Sequence, residues 1–314
     1  MRALTIAIGT YGLTRAMKEG GVSSDRLSLE YVEVSPITSA MRRMARTLAF
    51  DICEMAFATY LCAKGMGRPI TALPIFLTRN FHHWAVFHNV AAGLRGPKDL
   101  EGRKIAVNRG YTVTTGVWVR GILASEYGVD LDKITWMPTD EEHVAEYHAP
   151  ANVDYAWRGR AIGELLSAQA CDAGIGDIRA DPPTIQPLIP EARQAGFAWY
   201  RRTGIYPVNH AVVVRDDVLA EFPWLARELV ALFEASKARY LRDLASGAAQ
   251  APADAAAREV GAVVGGDPFP YGIAANRKAI EAIAGFAFDQ RVTPEKFSVE
   301  RLFADETLAQ GGRR

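Results

Sequence analysis

Imidazoles, guanidiniums and hydroxyls gather in a few short stretches of this chain. The densest is Phe76-Leu-Thr-Arg-Asn-Phe-His-His-Trp-Ala-Val-Phe-His-Asn89, which holds three of the six histidines, an arginine and four aromatic side chains, and follows the buried-strand pattern Ile70-Thr-Ala-Leu-Pro-Ile75. A second, Tyr200-Arg-Arg-Thr-Gly-Ile-Tyr-Pro-Val-Asn-His210, runs into the apolar strand Ala211-Val-Val-Val214. An imidazole near its ordinary pKa can deliver a proton at neutral pH, which marks His83 and His210 as candidate acids. Glu54 can accept a hydroxyl proton if burial or hydrogen bonding tunes it. Arg15 and Arg79 offer planar forks suited to carboxylates, and the amino end of a helix beside Thr112, Thr114 and Thr115 is a further anion seat. Glu54, His83 and His210 would also make a three-ligand metal site if a cleft joined them, but the His83 to His88 spacing is no ligand motif. The preferred reading therefore has no metal and no cofactor. His82 and His88 are weaker candidates, His143 and His148 fall in a polar loop expected to be solvated, and Trp84, Trp118 and Trp136 read as core.

The elements that must position these groups alternate. Residues 3 to 9, 27 to 34, 50 to 55 and 70 to 76 read as strands, separated by helices near 11 to 18, 36 to 48 and 59 to 65. In the second of these helices Met41, Met44, Ala45 and Leu48 share a face. Strands spaced by helices imply a parallel sheet covered on both sides, with ligands off the carboxyl ends of the strands, where Thr10, Tyr11, Glu54 and Arg79 fall. If 84 to 88 is extended, His82, Trp84, Val86 and His88 point one way while Phe81, His83, Ala85 and Phe87 point the other.

After a link at 94 to 102 the pattern restarts as a second α/β unit: strand 104 to 107, a helix over 113 to 126, and strands 134 to 137 and 173 to 175. Residues 140 to 159 are polar and aperiodic, a loop. An apolar strand from Ala211, a long helix ending near Gly247, and helices near 253 to 263, 275 to 288 and 293 to 303 complete the chain. The expected organisation is two lobes: residues 1–90 and 206–314 form the first and 91–205 the second. Two crossings join them, and a cleft between them closes around a ligand.

Composition narrows the function. The chain has 314 residues, 49% of them apolar and 23% charged, with a formal net charge of zero. That is the balance of a globular protein with no call for nucleic acid or a membrane surface as partner. Cys53, Cys62 and Cys171 lack CxxC spacing and read as buried free thiols. Residues 1 to 9 show no cleavage pattern and no run is long enough to span a bilayer, so the expected location is the cytoplasm. Homo-oligomerisation is left open.

Several strings carry a family resemblance. Phe50-Asp-Ile-Cys-Glu-Met55, Arg79-x-Phe-x-His83, Val117-Trp-Val-Arg-Gly-Ile122 with Glu126-Tyr-Gly-Val129, Tyr200-Arg-Arg-Thr-Gly-Ile-Tyr-Pro207 with His210, and Asp267-Pro-Phe-Pro-Tyr-Gly272 with Asn276-Arg277 resemble the 4,5-dihydroxyphthalate decarboxylase family. The resemblance covers nearly the whole chain. It implies a type II periplasmic-binding-protein-like fold and a cofactor-independent carboxy-lyase acting on a small aromatic carboxylate. The family's Gly-Asp-Tyr-Asp-Arg-Thr-Arg start reads Gly9-Thr-Tyr-Gly-Leu-Thr-Arg15 here. Its Gly-Gly segment after the Trp136 strand reads Thr139-Asp-Glu-Glu-His-Val-Ala-Glu-Tyr147. Both changes fall where a ligand would touch.

Removing carbon dioxide from an electron-rich ring requires a proton at the carboxyl-bearing carbon, a partner for the ring hydroxyls and a clamp for the carboxylates. His83 and His210 are assigned to the first task, Glu54 to the second, and Arg15, Arg79, Tyr11, Thr112, Thr114 and Thr115 to binding. The alternatives are a solute receptor for a small aromatic or carboxylate ligand, or another lyase on the same scaffold.

Overall fold

The computed structural model describes residues 2–178 and 184–308. In the first part of the chain β1 (Leu4–Ala7), β2 (Leu29–Tyr31), β3 (Ile52–Ala56) and β4 (Ile70–Arg79) alternate with α1 (Gly12–Lys18), α2 (Ile37–Thr47) and α3 (Phe57–Gly65). The chain then crosses to β5 (Val86–Asn89), β6 (Lys104–Val107), α4 (Thr114–Tyr127), β7 (Thr135–Pro138), α5 (Ile162–Ser167), β8 (Ala173–Ile175), β9 (Ile185–Pro187) and α6 (Ala192–Thr203). It returns as β10 (Val208–Arg215), followed by α7 (Asp216–Glu221), α8 (Leu225–Ser246), α9 (Pro252–Val264), α10 (Ile273–Asp289) and α11 (Asp305–Leu308).

The two sheets have one topology used twice. The first runs β2-β1-β3-β10-β4 and the second β7-β6-β8-β5-β9. Each is parallel except for one strand, β10 against β3 and β4, and β5 against β8 and β9. Each sheet is thus mostly parallel, as expected, with one exception that the pattern does not mark: the strand that follows each crossing enters its sheet reversed. This is the two-lobed, type II periplasmic-binding-protein-like α/β architecture.

Period-two alternation in β10 sends Val212 and Val214 to the face covered by Leu225, Leu229 and Phe233 of α8, and Ala211 and Val213 to the opposite face. That opposite core is continuous between the lobes. It joins Met41 and Met44 of α2, Phe57 and Tyr60 of α3, Trp118 and Ile122 of α4, and Ile280 and Ile283 of α10. Full burial contributes roughly 1.5–3 kcal/mol for each large apolar side chain, so the lobes are joined by much more than their two crossings. The C-terminal α10 belongs to both: Phe286 packs edge-on against Trp118, and Gln290 just past its end accepts from Arg120 Nε at 2.7 Å.

Two sequence expectations fail locally. His82–Ala85 is a tight 3-10 turn, so the alternation proposed around Trp84 does not extend back to the histidine pair, and both His82 and His83 are 1% exposed. The helix expected over 293–303 is reduced to a short 3-10 turn at Val299–Leu302. The three cysteines are free and buried as expected, Trp118 and Trp136 are in the core while Trp84 is half-buried, and no helix among the described residues is long and apolar enough to cross a membrane.

Candidate active site

The pleat of the first sheet decides where its polar side chains point. Glu54 shares a face with Ile52 on β3, and His210 shares one with Val212 and Val214 on β10, the face covered by α1 and α8. Neighbouring strands therefore bring the two together. His210 Nδ1 lies 2.6 Å from Glu54 Oε1. Tyr11 O–H donates to the same oxygen at 2.9 Å, and the Gly9 N–H donates to Oε2 at 2.8 Å. Glu54 is fully buried, yet His210 keeps 19% of its side chain exposed and its Nε2 has no partner among the described residues. A buried carboxylate on Nδ1 fixes the imidazole tautomer and leaves Nε2 as the working atom.

Tyr11 caps α1 through its backbone, whose N–H donates to Thr14 Oγ1 at 2.9 Å, while that hydroxyl donates back to the Gly9 carbonyl at 2.7 Å. The Tyr11 ring folds over Gly9 so closely that a Cβ there would collide with it. Burial first, and then the Glu54 charge, push the Tyr11 hydroxyl well above its ordinary range, so it stays a donor.

A cavity of about 960 Å³ opens over the same face, between α1, the end of β4, α8 and α9. Tyr11, Arg15, Arg79, Phe81, Tyr206 and Phe269 are in its wall. Glu54 and His210 are not, lying behind Tyr11, the residue shared by the cavity and the pair. The Arg15 guanidinium is exposed and makes no hydrogen bond or ion pair among the described residues. Arg79 is held by carbonyls: Nη1 donates to Tyr206 at 3.0 Å, Nη2 to Pro270 at 2.9 Å and also to the Asn276 side chain. Among the described residues no carboxylate bonds to it and its buried Nε is unpartnered. Burial lowers its pKa to about 10, partly offset by Tyr206 and Asp267 nearby, so a positive charge held by neutral oxygens stands in the cavity wall.

The remaining sequence candidates lie elsewhere. His83 is not brought to Glu54 and His210. It is sealed against Trp199, 5.6 Å between ring centres, with both ring nitrogens unpartnered, and burial lowers its pKa to about 4. The Glu54, His83, His210 metal set is therefore not assembled. Among the described residues no three His, Cys, Asp or Glu side chains are grouped to hold a metal ion. His82 stacks on Trp118 and its Nε2 meets Asn209 Oδ1 at 2.7 Å. His88 is buried on β5. His148 is exposed as expected, but His143 is not solvated: it is buried, and burial together with Arg42 and Arg109 lowers its pKa to about 4.

The anion seat expected beside Thr112, Thr114 and Thr115 exists and is already filled. Glu142, buried in the loop after β7, accepts from Tyr111 N–H at 2.5 Å, Thr112 N–H at 3.0 Å, Thr112 O–H at 2.6 Å and Tyr155 O–H at 2.7 Å. Thr114 Oγ1 accepts from the Ala58 N–H at 3.0 Å, and Thr115 is half-buried without a side-chain hydrogen bond among the described residues. Arg42 to Asp140 at 2.6 Å, Arg46 to the Glu142 carbonyl at 2.8 Å and the Arg68–Glu146 pair tie this loop to the first lobe. Sequence reading missed Glu142, which sits in an aperiodic polar run and gives no signal. It also passed over Arg120, fully buried and 3.8 Å above the Tyr111 ring; an arginine inside the apolar run Val117–Ile122 was a legible sign.

Fold and site together define a binding-protein scaffold that carries a buried carboxylate–imidazole pair. By shape it is similar to the periplasmic aliphatic sulphonate binding protein SsuA of Escherichia coli, at a TM-score of 0.55, 10% identity, and coverage of 98% of this chain and 99% of that one. Residues 25–183 match the family described as NMT1/THI5 like. A 4,5-dihydroxyphthalate decarboxylase of Comamonas testosteroni is 30% identical over 324 aligned positions, covering 97% of each chain. One of Pseudomonas putida is 27% identical over 211, covering 63% of this chain and 81% of that one. The chain belongs to the 4,5-dihydroxyphthalate decarboxylase family and is an enzyme of the carboxy-lyase class.

Proposed function

We propose that this enzyme removes a carboxyl group, as carbon dioxide, from a hydroxylated aromatic acid such as 4,5-dihydroxyphthalate or a close relative, without a metal or cofactor. The observation that carries the reading is the 2.6 Å contact of His210 Nδ1 with the buried Glu54, which leaves Nε2 without a partner among the described residues, behind Tyr11 of the cavity wall. The imidazolium form of His210 donates its Nε2 proton to the carboxyl-bearing ring carbon while Glu54 balances the charge on the ring nitrogens. A hydroxyl para to that carbon supplies electrons as the proton arrives. The carbon–carbon bond pair then returns to the ring, carbon dioxide leaves, and the imidazole regains its proton from solvent. Tyr11 presents its ring to the substrate and holds Glu54 by its hydroxyl. Arg15 and Arg79 draw the anionic substrate into the cavity.

His83, sealed among aromatic rings, is assigned to holding the crossing between the lobes rather than to chemistry. A cytoplasmic location and a small-molecule substrate go with this reading. A receptor for the same ligand would have no use for an imidazole poised on a buried carboxylate. Incubation of the enzyme with hydroxylated phthalates and benzoates tests the proposal. Release of carbon dioxide with deuterium uptake at the vacated ring carbon in heavy water is the expected result. Tight binding without product over long incubation would overturn it.

A further inference from the structure

The cavity is much larger than a single substituted ring requires, and the excess has its own chemistry. Pockets enclosing drug-sized ligands span roughly 300–1,000 Å³. At about 960 Å³ this one lies near the top of that range, whereas a ring bearing only carboxylates and hydroxyls belongs near the bottom.

The lining has parts of different character. Tyr11, Arg79, Phe81 and Tyr206 stand on the side next to the Glu54–His210 pair. Arg15, Glu19, Arg239 and Asp243 add charged groups. One face of α9 presents Ala253, Ala256, Ala257 and Val260 to the cavity. These residues recur at the three-and-four spacing of a helical stripe that ordinarily packs on a core. Here Ala253 and Ala256 are exposed, facing the space that α1 and α8 leave open. The arrangement is built rather than loose. Tyr240 donates to Asp254 at 2.5 Å and Asp254 accepts the Ala251 N–H at 2.7 Å, pinning the start of α9 to α8. Gly12 lets α1 approach the Tyr240 ring at a distance where any Cβ would collide.

We propose that the substrate is an aromatic hydroxy acid carrying an apolar extension, of the size of a second ring, that lies along the alanine face of α9 while its carboxylate end meets Arg79 and the Tyr11 side. This rests on the cavity being the substrate site, and it refines the substrate class. A cavity with a guanidinium on one side and the apolar face of α9 as one of its walls suits a molecule with a charged end and an apolar part, and the open face of α9 is then covered by the ligand. Each buried methylene strengthens binding by a factor of a few, so a second ring should gain at least about tenfold.

The test compares a hydroxynaphthoate with a hydroxybenzoate of the same substitution around the carboxylate. Both are followed by calorimetric binding and by carbon dioxide release, in the wild type, in Ala256→Phe and in the milder Ala253→Leu. The expected result is at least tenfold tighter binding of the two-ring acid to the wild type, with that preference collapsing in the variants. Equal or weaker binding of the two-ring acid, or a preference that neither variant moves, would overturn the inference. The binding arm decides this independently of chemistry. Absence of carbon dioxide from both acids would count against the decarboxylation scheme, while the size preference would still be read.

Discussion

Among the described residues each lobe buries one glutamate beside the turn that follows a parallel strand, and the two neighbourhoods differ in the groups they hold. In the first lobe Glu54 holds the Gly9 N–H, the Tyr11 hydroxyl and the imidazole of His210. In the second, Glu142 holds two backbone N–H groups and the hydroxyls of Thr112 and Tyr155. Both carboxylates are well supplied with donors, as buried polar groups must be. Of the two, only Glu54 touches an imidazole, and that ring keeps an open nitrogen among the described residues. The comparison sets the carboxylate proposed to serve chemistry beside one that fills an anion seat and holds a loop. It also fits the proposal of a substrate site in one lobe, since the seat beside Thr112 in the other lobe is occupied by the protein's own Glu142.

That contrast can be broken or sharpened by substitution, beginning with the largest effect. His210→Gln removes the proposed proton donor but keeps a polar side chain beside Glu54, and carbon dioxide release should fall about 10²–10⁴-fold. His83→Gln should cost far less activity in the same assay; equal losses would return His83 to the chemistry. Next, Glu142→Gln should destabilise the fold by about 2–3 kcal/mol, since a neutral amide cannot accept from all four donors. A urea titration followed by fluorescence reads that change. Tyr11→Phe keeps the ring in the cavity wall and deletes one donor to Glu54, so turnover should drop about tenfold, the scale of one charge-assisted hydrogen bond.

The smallest effect is on pH. Burial lowers the pKa of His82 to about 3, and of His83 and His143 to about 4, against 6.5 for the ordinary imidazole. Between about pH 6.5 and 4 the unfolded chain binds protons that the folded chain refuses, so stability must fall as pH drops through that window. His83→Phe removes one of these contributions, and the slope of stability against pH should become shallower in the same titration.

The fold could be read in the chain because its signals are local. The strand–helix alternation of the first 76 residues, the restart at Lys104 and the apolar return at Ala211 each mark an element without knowledge of its partners. The reversed direction of β10 and β5 is a property of the crossings and has no local mark. The site was legible where residue type limits the options, as for Glu54 inside an apolar strand and His210 just before one. It was not legible where the partner is remote: Arg79 is bound by backbone carbonyls of Tyr206 and Pro270, far along the chain. Nor could the loop after β7 be read correctly, since Glu142 and His143 look solvated in an aperiodic polar run and are buried only because Tyr111, Thr112 and Arg46 meet them.

The most direct measurement is the rate of carbon dioxide release by Glu54→Gln and Glu142→Gln enzymes side by side under conditions where both are folded. The account predicts a loss of at least about a hundredfold for the first, and a rate within about threefold of wild type for the second, whose replacement falls in the range of structural substitutions. Equal losses, or a larger loss for Glu142→Gln, would contradict it.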